Sequence, residues 1–431
     1  MNNKLLKLPK MRFPYWMIST FVILFSVLIF QNLKTQGVNW TYPYLSGAAN
    51  YEQLFVWKIS VSDFEVASKI SENNYRFYKH QKSEDTTINY VNNYGYLLVV
   101  LMAKKLMPYL GDIQAIIIFQ IMVHIIACLI LLNKVFSTPF QRNGFLFLYA
   151  ANPLIIHLVT FPFYYFWLFI PPFALISIYF RQKSAIWLIW VLTPILLFSI
   201  LIRPTSLFLC IFFYLVAWWL LVKLKVKHWN APLALLIFIF CVAWYSGKNT
   251  GSPAHTMYVG VGAYPNQLGV PDLGDNRGYE YFYSVTGIEI DTSAVGGNWN
   301  NNDVRSLYNK IIISRYLEMV KDSPLVFFRN AFLNTMEAFS VGYIVNYPYL
   351  TLISFIIGIS VFIFLLSTGQ YVWIVGILTG AMGYVWYFPP IPAYNFSSYS
   401  LLAIGLIMAL EKYHWSKLII QLKKITKIYK R

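Results

Sequence analysis

LALLIFIFCVAW, residues 233–244, offers almost nothing polar over three turns of helix. Apolar runs of this kind recur near 14–32, 113–132, 143–160, 163–180, 184–202, 205–223, 230–247, 347–367, 370–388 and 391–410. At 1.5 Å rise per residue, about 20 residues cross a hydrocarbon core of roughly 30 Å. Lipid offers no partner to backbone N–H and C=O groups, so each run has to be helical. The reading is an all-α polytopic membrane protein with about ten transmembrane helices, in a range of about eight to twelve. Composition agrees: 58% of residues are hydrophobic, 19% aromatic and only 12% charged. Soluble domains carry about 25% charged residues, which excludes that class.

The net charge of +17 raises the question of nucleic acid, and its distribution answers it. Lys4, Lys7, Lys10 and Arg12 precede the first run without an acid, and the chain ends in Lys412, Lys417, Lys423, Lys424, Lys427, Lys430 and Arg431. Smaller clusters fall at Lys134/Arg142, Arg181/Lys183 and Lys223/Lys225/Lys227. Of the 17 acids, seven lie in 34–112 and eight in 248–323, beside eight and six basic residues respectively. Positive charge marks the cytoplasmic side, so the excess is a topology signal whose nearest partner is the lipid bilayer, not nucleic acid. Both termini are expected in the cytoplasm. The Asn-, Lys-, Ile- and Tyr-rich composition is that of AT-rich bacterial genomes and places the chain in a bacterial inner (cytoplasmic) membrane.

The expected organisation is a cytoplasmic tail and first span (1–33), a first external segment with interfacial helices (34–112) and a transmembrane bundle (113–247). A second external segment with an interfacial helix (248–346), C-terminal spans (347–410) and a basic amphipathic tail (411–431) follow. YGYLLVVLMAKKLMPYLG (94–111) is apolar but short and carries Lys104 and Lys105, so it is read as interfacial. Cys128, Cys210 and Cys241 all lie within apolar runs and read as small core residues. His124 and His157 read as packed, hydrogen-bonded histidines. The aromatic and proline-rich stretch 152–173 is read as helix packing, with a lipid-chain groove as the alternative.

Chemistry is sought in the external segments. Asp63, with Ala67 and Ile70, sits near the start of a short amphipathic helix, where free backbone N–H groups would orient a carboxylate that accepts a proton. The plain alternative is an N-cap aspartate on a solvated loop. Arg203 in ILIRPTSLF is a lone charge at the end of a run, beside helix-breaking Pro204. A charge there is costly and marks either a phosphate clamp or an arginine reaching a headgroup. HTMYVGVGAYPNQLG (255–269) and the residues after it gather His255, Tyr258, Asn266, Asp272, Asp275, Arg277 and Glu280 around Gly260, Gly262 and Gly269. That mix of aromatic, amide and carboxylate groups suits carbohydrate. A lone GxG without strand-to-helix context does not indicate a nucleotide. No metal-ligand spacing is evident, no cofactor is called for, and nothing in the residues requires a divalent metal.

The stretch HTMYVGVGAYPNQLG…DNRGYE and the later YNKIIISRYLEMVKDSPLVFFRN (308–330) are similar to those of uncharacterised bacterial C-type glycosyltransferases. The architecture as a whole resembles that superfamily, which includes the protein mannosyltransferases and the aminoarabinose transferase of lipid A. The resemblance implies the GT-C fold and transfer of a sugar from a polyprenyl-phosphate donor to a glycan, lipid or protein acceptor outside the cytoplasm, with inversion. It implies an acidic base in the first external segment: Asp63, with Glu52 as second choice. Arg203, with Lys58 or His255, would face the donor phosphate. Here the acid expected soon after the first span stands some thirty residues further on, and no Asp-Asp or Asp-Glu pair occurs. Rival readings are an O-antigen-type polymerase or ligase, which relies on external arginines such as Arg203, Arg277, Arg305 and Arg315, and a lipid-linked-sugar transporter or flippase. The nearly charge-free, unrepeated spans disfavour the last.

Overall fold

A computed structural model describes residues 38–51, 58–88, 93–246 and 253–428. The expected first span and Glu52 lie outside these residues. The chain is mostly helical. The first polar segment holds helices α1 (Val38–Ala49), α2 (Val61–Ser68) and α3 (Glu72–Tyr75), and a two-stranded antiparallel sheet of β1 (Lys58–Ser60) and β2 (Thr86–Ile88). Its register pairs Lys58 with Ile88 and Ser60 with Thr86. Helix α4 (Tyr94–Leu106) leads to α5 (Asp112–Ile130), which continues through a π-helical turn to Val135. There follow α6 (Pro139–Phe145), α7 (Pro153–Thr160), α8 (Ile170–Phe180), α9 (Ala185–Ile202), α10 (Leu207–Lys223) and α11 (Asn230–Ser246). The second polar segment holds α12 (Ala254–Gly260), α13 (Asn276–Thr286), α14 (Asn302–Asp322) and α15 (Pro324–Glu337). Helices α16 (Pro348–Ser367), α17 (Tyr371–Ala381) and α18 (Phe396–Ile428) close the chain.

Among the described residues four helices are long and apolar enough to cross a membrane: Asp112–Val135, Ala185–Ile202, Pro204–Lys223 and Pro348–Ser367. A fifth arises if Pro139–Ala150 and Pro153–Thr160, bent by 55° at Ala151 and Asn152, form one broken span. The count of about ten from hydropathy is thus not confirmed among the described residues, which leave out the expected first span. Proline explains much of the difference, because it removes a helical N–H and breaks the helix inside an otherwise apolar run. The run 163–180 begins in a 3₁₀ turn after Pro162 and turns α-helical only at Ile170. The runs 370–388 and 391–410 are parted by irregular backbone from Met382 to Asn395, which contains Pro389, Pro390 and Pro392. Non-helical backbone at such depth is tolerated where protein buries it, and Tyr384, Val385, Phe388 and Asn395 are indeed buried.

The core is rich in rings. Tyr149 packs against Phe145, Phe173 and Phe396, and Phe166 against Phe169 and Phe396. Offset and edge-on ring pairs of this kind add to the area they bury. On α16, by contrast, Leu352, Ile353, Ile356 and Ile363 stand more than half exposed, a face that only lipid or another apolar surface can cover. Far along α18, Glu411 accepts from Thr138 Oγ1 (3.1 Å) and Gln141 Nε2 (3.0 Å), tying that helix to the start of α6. His124 is buried with Nε2 3.3 Å from the Ala150 carbonyl, as a packed histidine should be. His157 departs from the expectation: it is exposed on α7 and borders Phe161.

Candidate functional site

Asp63 stands in the first turn of α2, but its carboxylate does not cap that helix. The Ser60 hydroxyl accepts from the Asp63 N–H at 3.1 Å, and Asp85 takes the Ser62 N–H at 2.9 Å. The expected orientation of Asp63 by helical N–H groups is thus filled by other residues, and the solvated-loop alternative fails as well, since Asp63 is 5% exposed. Its carboxylate turns toward the chain between α3 and β2. Oδ1 accepts from the Tyr78 hydroxyl (2.7 Å) and the Gln81 N–H (3.2 Å), and Oδ2 from His80 Nδ1 (2.6 Å). Burial by itself raises the carboxyl, but the hydrogen bond and charge of His80, with Tyr78 and Gln81, hold it below the usual carboxylate range. An ionised carboxylate only accepts, so Nδ1 carries a hydrogen. His80 Nε2 in turn meets the Tyr75 hydroxyl at 2.9 Å, and the His80 N–H donates to Asp112 Oδ2 at 2.9 Å. Asp112 is paired with Lys104 at 2.6 Å. The result is a buried Asp–His–Tyr relay with a second carboxylate behind it. Tyr42 of α1 donates to the Ser60 carbonyl and sets its ring edge-on to His80.

Arg203 follows α9, where Pro204 turns the chain into α10. Its guanidinium donates to the Tyr164 hydroxyl at 2.7 Å and lies 4.8 Å and 4.9 Å from the ring centroids of Tyr164 and Tyr394. Two ring faces stabilise this half-buried cation, and no described acid forms an ion pair with it. Tyr394 comes from the irregular segment 382–395, which is held on three sides. Asn334 Nδ2 of α15 donates to the Val385 carbonyl (2.9 Å), and the Tyr343 N–H donates to the Pro390 carbonyl (3.0 Å). On α12, Gly260 lies so close that a Cβ there would stand 2.0 Å from the Tyr387 carbonyl oxygen. Only a hydrogen fits, which gives the first glycine of the sequence motif a packing reason.

The remaining candidates of the second polar segment divide by role. His255 places Nδ1 2.5 Å from the Tyr308 hydroxyl, stacks on Tyr279 at 4.9 Å and reaches Asp275 at 3.4 Å. Gly278 makes that approach possible, since a Cβ on it would lie 2.3 Å from the Tyr308 hydroxyl. Tyr258 is buried and stacks on Tyr281, over which Arg315 sits. Asn266 is a loop organiser: its Nδ2 donates to the carbonyls of Val261, Tyr264 and Val270, and its Oδ1 accepts from the Leu268 N–H. Arg277 grips Asp272 through two hydrogen bonds (3.0 and 2.7 Å) and Glu280 through a third (2.9 Å), all at the surface. Lys58 opens β1 opposite Ile88. Arg203, expected at the phosphate with Lys58 or His255, contacts Tyr164 and Tyr394, whereas His255 contacts Tyr308, Tyr279 and Asp275. Arg305 is buried and donates to Asn302 Oδ1 at 2.5 Å.

One group escaped the sequence reading. Glu337, at the end of α15, is 1% exposed, and the Tyr264 hydroxyl lies 3.1 Å from it and 2.8 Å from Asn334 Oδ1. Burial pushes this carboxyl up to about 8, against the lowering effect of the Tyr264 hydrogen bond. Its signal was that Glu337 is the sole acid between Asp322 and Glu411. Among the described residues no three His, Cys, Asp or Glu side chains gather as a metal site. Comparison of the chain with family models, with curated proteins and with solved structures found no match.

Proposed function

We propose that this is a membrane glycosyltransferase that moves a sugar from a polyprenyl-phosphate donor to an acceptor glycan, lipid or protein on the external face. The observation that carries the reading is Arg203, a guanidinium held by two tyrosine rings, with no described acid paired to it, at the end of two adjoining apolar helices. A lipid-linked phosphate entering from the bilayer meets that level first, and a planar guanidinium suits its oxygens. In the reaction, an acceptor hydroxyl oxygen attacks the anomeric carbon as the bond to the phosphate oxygen breaks. The departing phosphate keeps the electron pair beside Arg203, and the anomeric centre inverts. The acceptor proton passes to a carboxylate, for which Asp63 is the assigned base. Both its oxygens are engaged, so the acceptor takes the place of the half-buried Tyr78 hydroxyl on Oδ1. Arg277 and Arg315 are each engaged by carboxylates, which gives less support to a polymerase or ligase built on external arginines.

The test is binding and transfer with a panel of radiolabelled polyprenyl-phosphate sugars, using purified wild type beside Arg203→Gln and Arg203→Lys. Losing one partner of a buried charge contact costs about 2–5 kcal/mol. Arg203→Gln is expected to weaken donor binding by roughly thirtyfold or more, with Arg203→Lys between it and the wild type. Unchanged donor affinity in Arg203→Gln, with the protein folded, refutes the assignment.

A further inference from the structure

At the opposite end of α10 from Arg203, α10 and α17 part to leave a groove of about 240 Å³, lined by Phe212, Leu215, Val216 and Trp219 on one side and by Tyr371, Val372 and Val375 on the other. The α10 side runs for about 10 Å along the helix axis. Its walls are apolar, yet each ends in a lysine. Lys223 Nζ lies 5.4 Å from the Trp219 ring centroid. On the other wall, Lys412 Nζ donates to the Thr368 carbonyl at 2.7 Å, and a Cβ on Gly369 would lie 3.5 Å from that Nζ and 3.7 Å from the Tyr371 ring. Beyond Lys223 the chain alternates Lys225 and Lys227 with Leu224, Val226 and Trp229, all exposed. Exposed apolar residues between lysines, beside an aromatic pair, are the composition of a headgroup layer. No Asp or Glu occurs between Asp112 and Asp272, and none lies on α17. The one acid near Lys412 in sequence, Glu411, is turned toward Thr138 and Gln141.

The geometry points to a binding site for an anionic phospholipid, with one acyl chain in the α10–α17 groove and its phosphate between Lys223 and Lys412. The apolar walls take the chain and the lysines select the charge, since each cation near an anionic surface adds to attraction. The site stands apart from Arg203 and does not rest on the transferase reading.

Native mass spectrometry of the full-length protein in detergent tests it, with phosphatidylglycerol, phosphatidylcholine and polyprenyl phosphate offered at equal concentration. Wild type is expected to retain phosphatidylglycerol over phosphatidylcholine by roughly thirtyfold, the effect of two lysines. The Lys223→Ala/Lys412→Ala variant is expected to bind both alike, and Val375→Trp, which fills the groove, to lose both. Leu215→Trp serves as a second filler, and circular dichroism and melting show that each variant is folded. Equal retention of the two phospholipids by wild type overturns the proposal. So does an unchanged preference in the double lysine variant, retention in both filled variants, or displacement of phosphatidylglycerol by polyprenyl phosphate.

Discussion

Replacing Asp63 asks how much of the first polar segment hangs on one carboxylate. Three donors converge on it, from Tyr78, His80 and Gln81, at a site 5% exposed. Asp63→Ala leaves all three without an acceptor. Removing one partner from a buried charged contact costs about 3–5 kcal/mol, and the three bonds are not additive because they share one acceptor. Asp63→Asn is milder. With its Oδ1 toward Tyr78 and Gln81, its NH₂ faces His80, which can accept by moving its hydrogen to Nε2 and donating to Tyr75. That variant loses charge and keeps the bonds, for about 1.5–3 kcal/mol. Hydrogen exchange of peptides from 58–112 is the assay. Protection should fall by roughly two to three and a half orders of magnitude in Asp63→Ala and by one to two in Asp63→Asn, at about 1.4 kcal/mol per decade. The pH dependence has a fixed sign. A carboxylate lowered in the folded state contributes stability that is present above its unfolded value of about 3.9 and is lost as pH falls through the folded value. Wild type should show that acid loss and Asp63→Asn should not. If Asp63→Ala leaves exchange in 58–112 at wild-type levels, the relay carries no structural weight and the reasoning fails.

Glu337 has the opposite sign: its carboxyl is raised to about 8 by burial, so the folded state holds a proton that the unfolded state releases above about 4.3. Stability should therefore be full in acid and decline until about pH 8, by on the order of 4 to 5 kcal/mol; Glu337→Gln should flatten this slope in thermal melts from pH 5 to 9, and an unaltered slope would sink the assignment. Gly260→Ala should lower the melting temperature and donor affinity together, because a Cβ at 2.0 Å from the Tyr387 carbonyl forces the segment that carries Tyr394 off α12. A folded variant with wild-type binding would show that the 382–395 segment does not support Arg203. Arg277→Ala, at an exposed ion-pair network, should leave both melting and transfer unchanged, since surface pairs of this kind contribute little; lost transfer would restore Arg277 to the binding site.

Hydropathy made the long helices legible because length and apolarity are all a membrane crossing demands. The runs at 113–132, 184–202, 205–223 and 347–367 answer to Asp112–Val135, Ala185–Ile202, Pro204–Lys223 and Pro348–Ser367. Where proline interrupts, the same measure misleads: a window average over strongly apolar neighbours stays high across Pro389, Pro390 and Pro392 although they break the helix. Charge spacing held more than was taken from it. Asp272, Arg277 and Glu280 stand five and three apart and meet as one surface network, while Asn266 beside Gly269 serves a turn whose carbonyls it satisfies. Asp63 was visible as a carboxylate, but His80 and Tyr78 reach it only through the return of the chain beyond α3, a tertiary contact with no local signature. Arg203 stood out as a lone charge, whereas its two rings come from positions far apart in the chain, Tyr164 and Tyr394.

Helix α1 explains why these two clusters belong to one architecture. Tyr42 and Tyr44 are two positions apart, so they point to different sides of the helix. Tyr42 reaches Ser60 and His80, and so the Asp63 relay. Tyr44 packs edge-on against Tyr96 and Phe163, and Phe163 lies 4.3 Å, centroid to centroid, from Tyr164, the residue that receives the Arg203 hydrogen bond. Both tyrosines are buried, and Pro43 stands between them inside the helix. A wedge filled on both sides leaves little room for independent movement, because close-packed side chains transmit displacement instead of absorbing it. The carboxylate of one polar segment and the cation at the head of the apolar helices are thereby set against the two sides of one short helix, and a shift of α1 moves the walls of both.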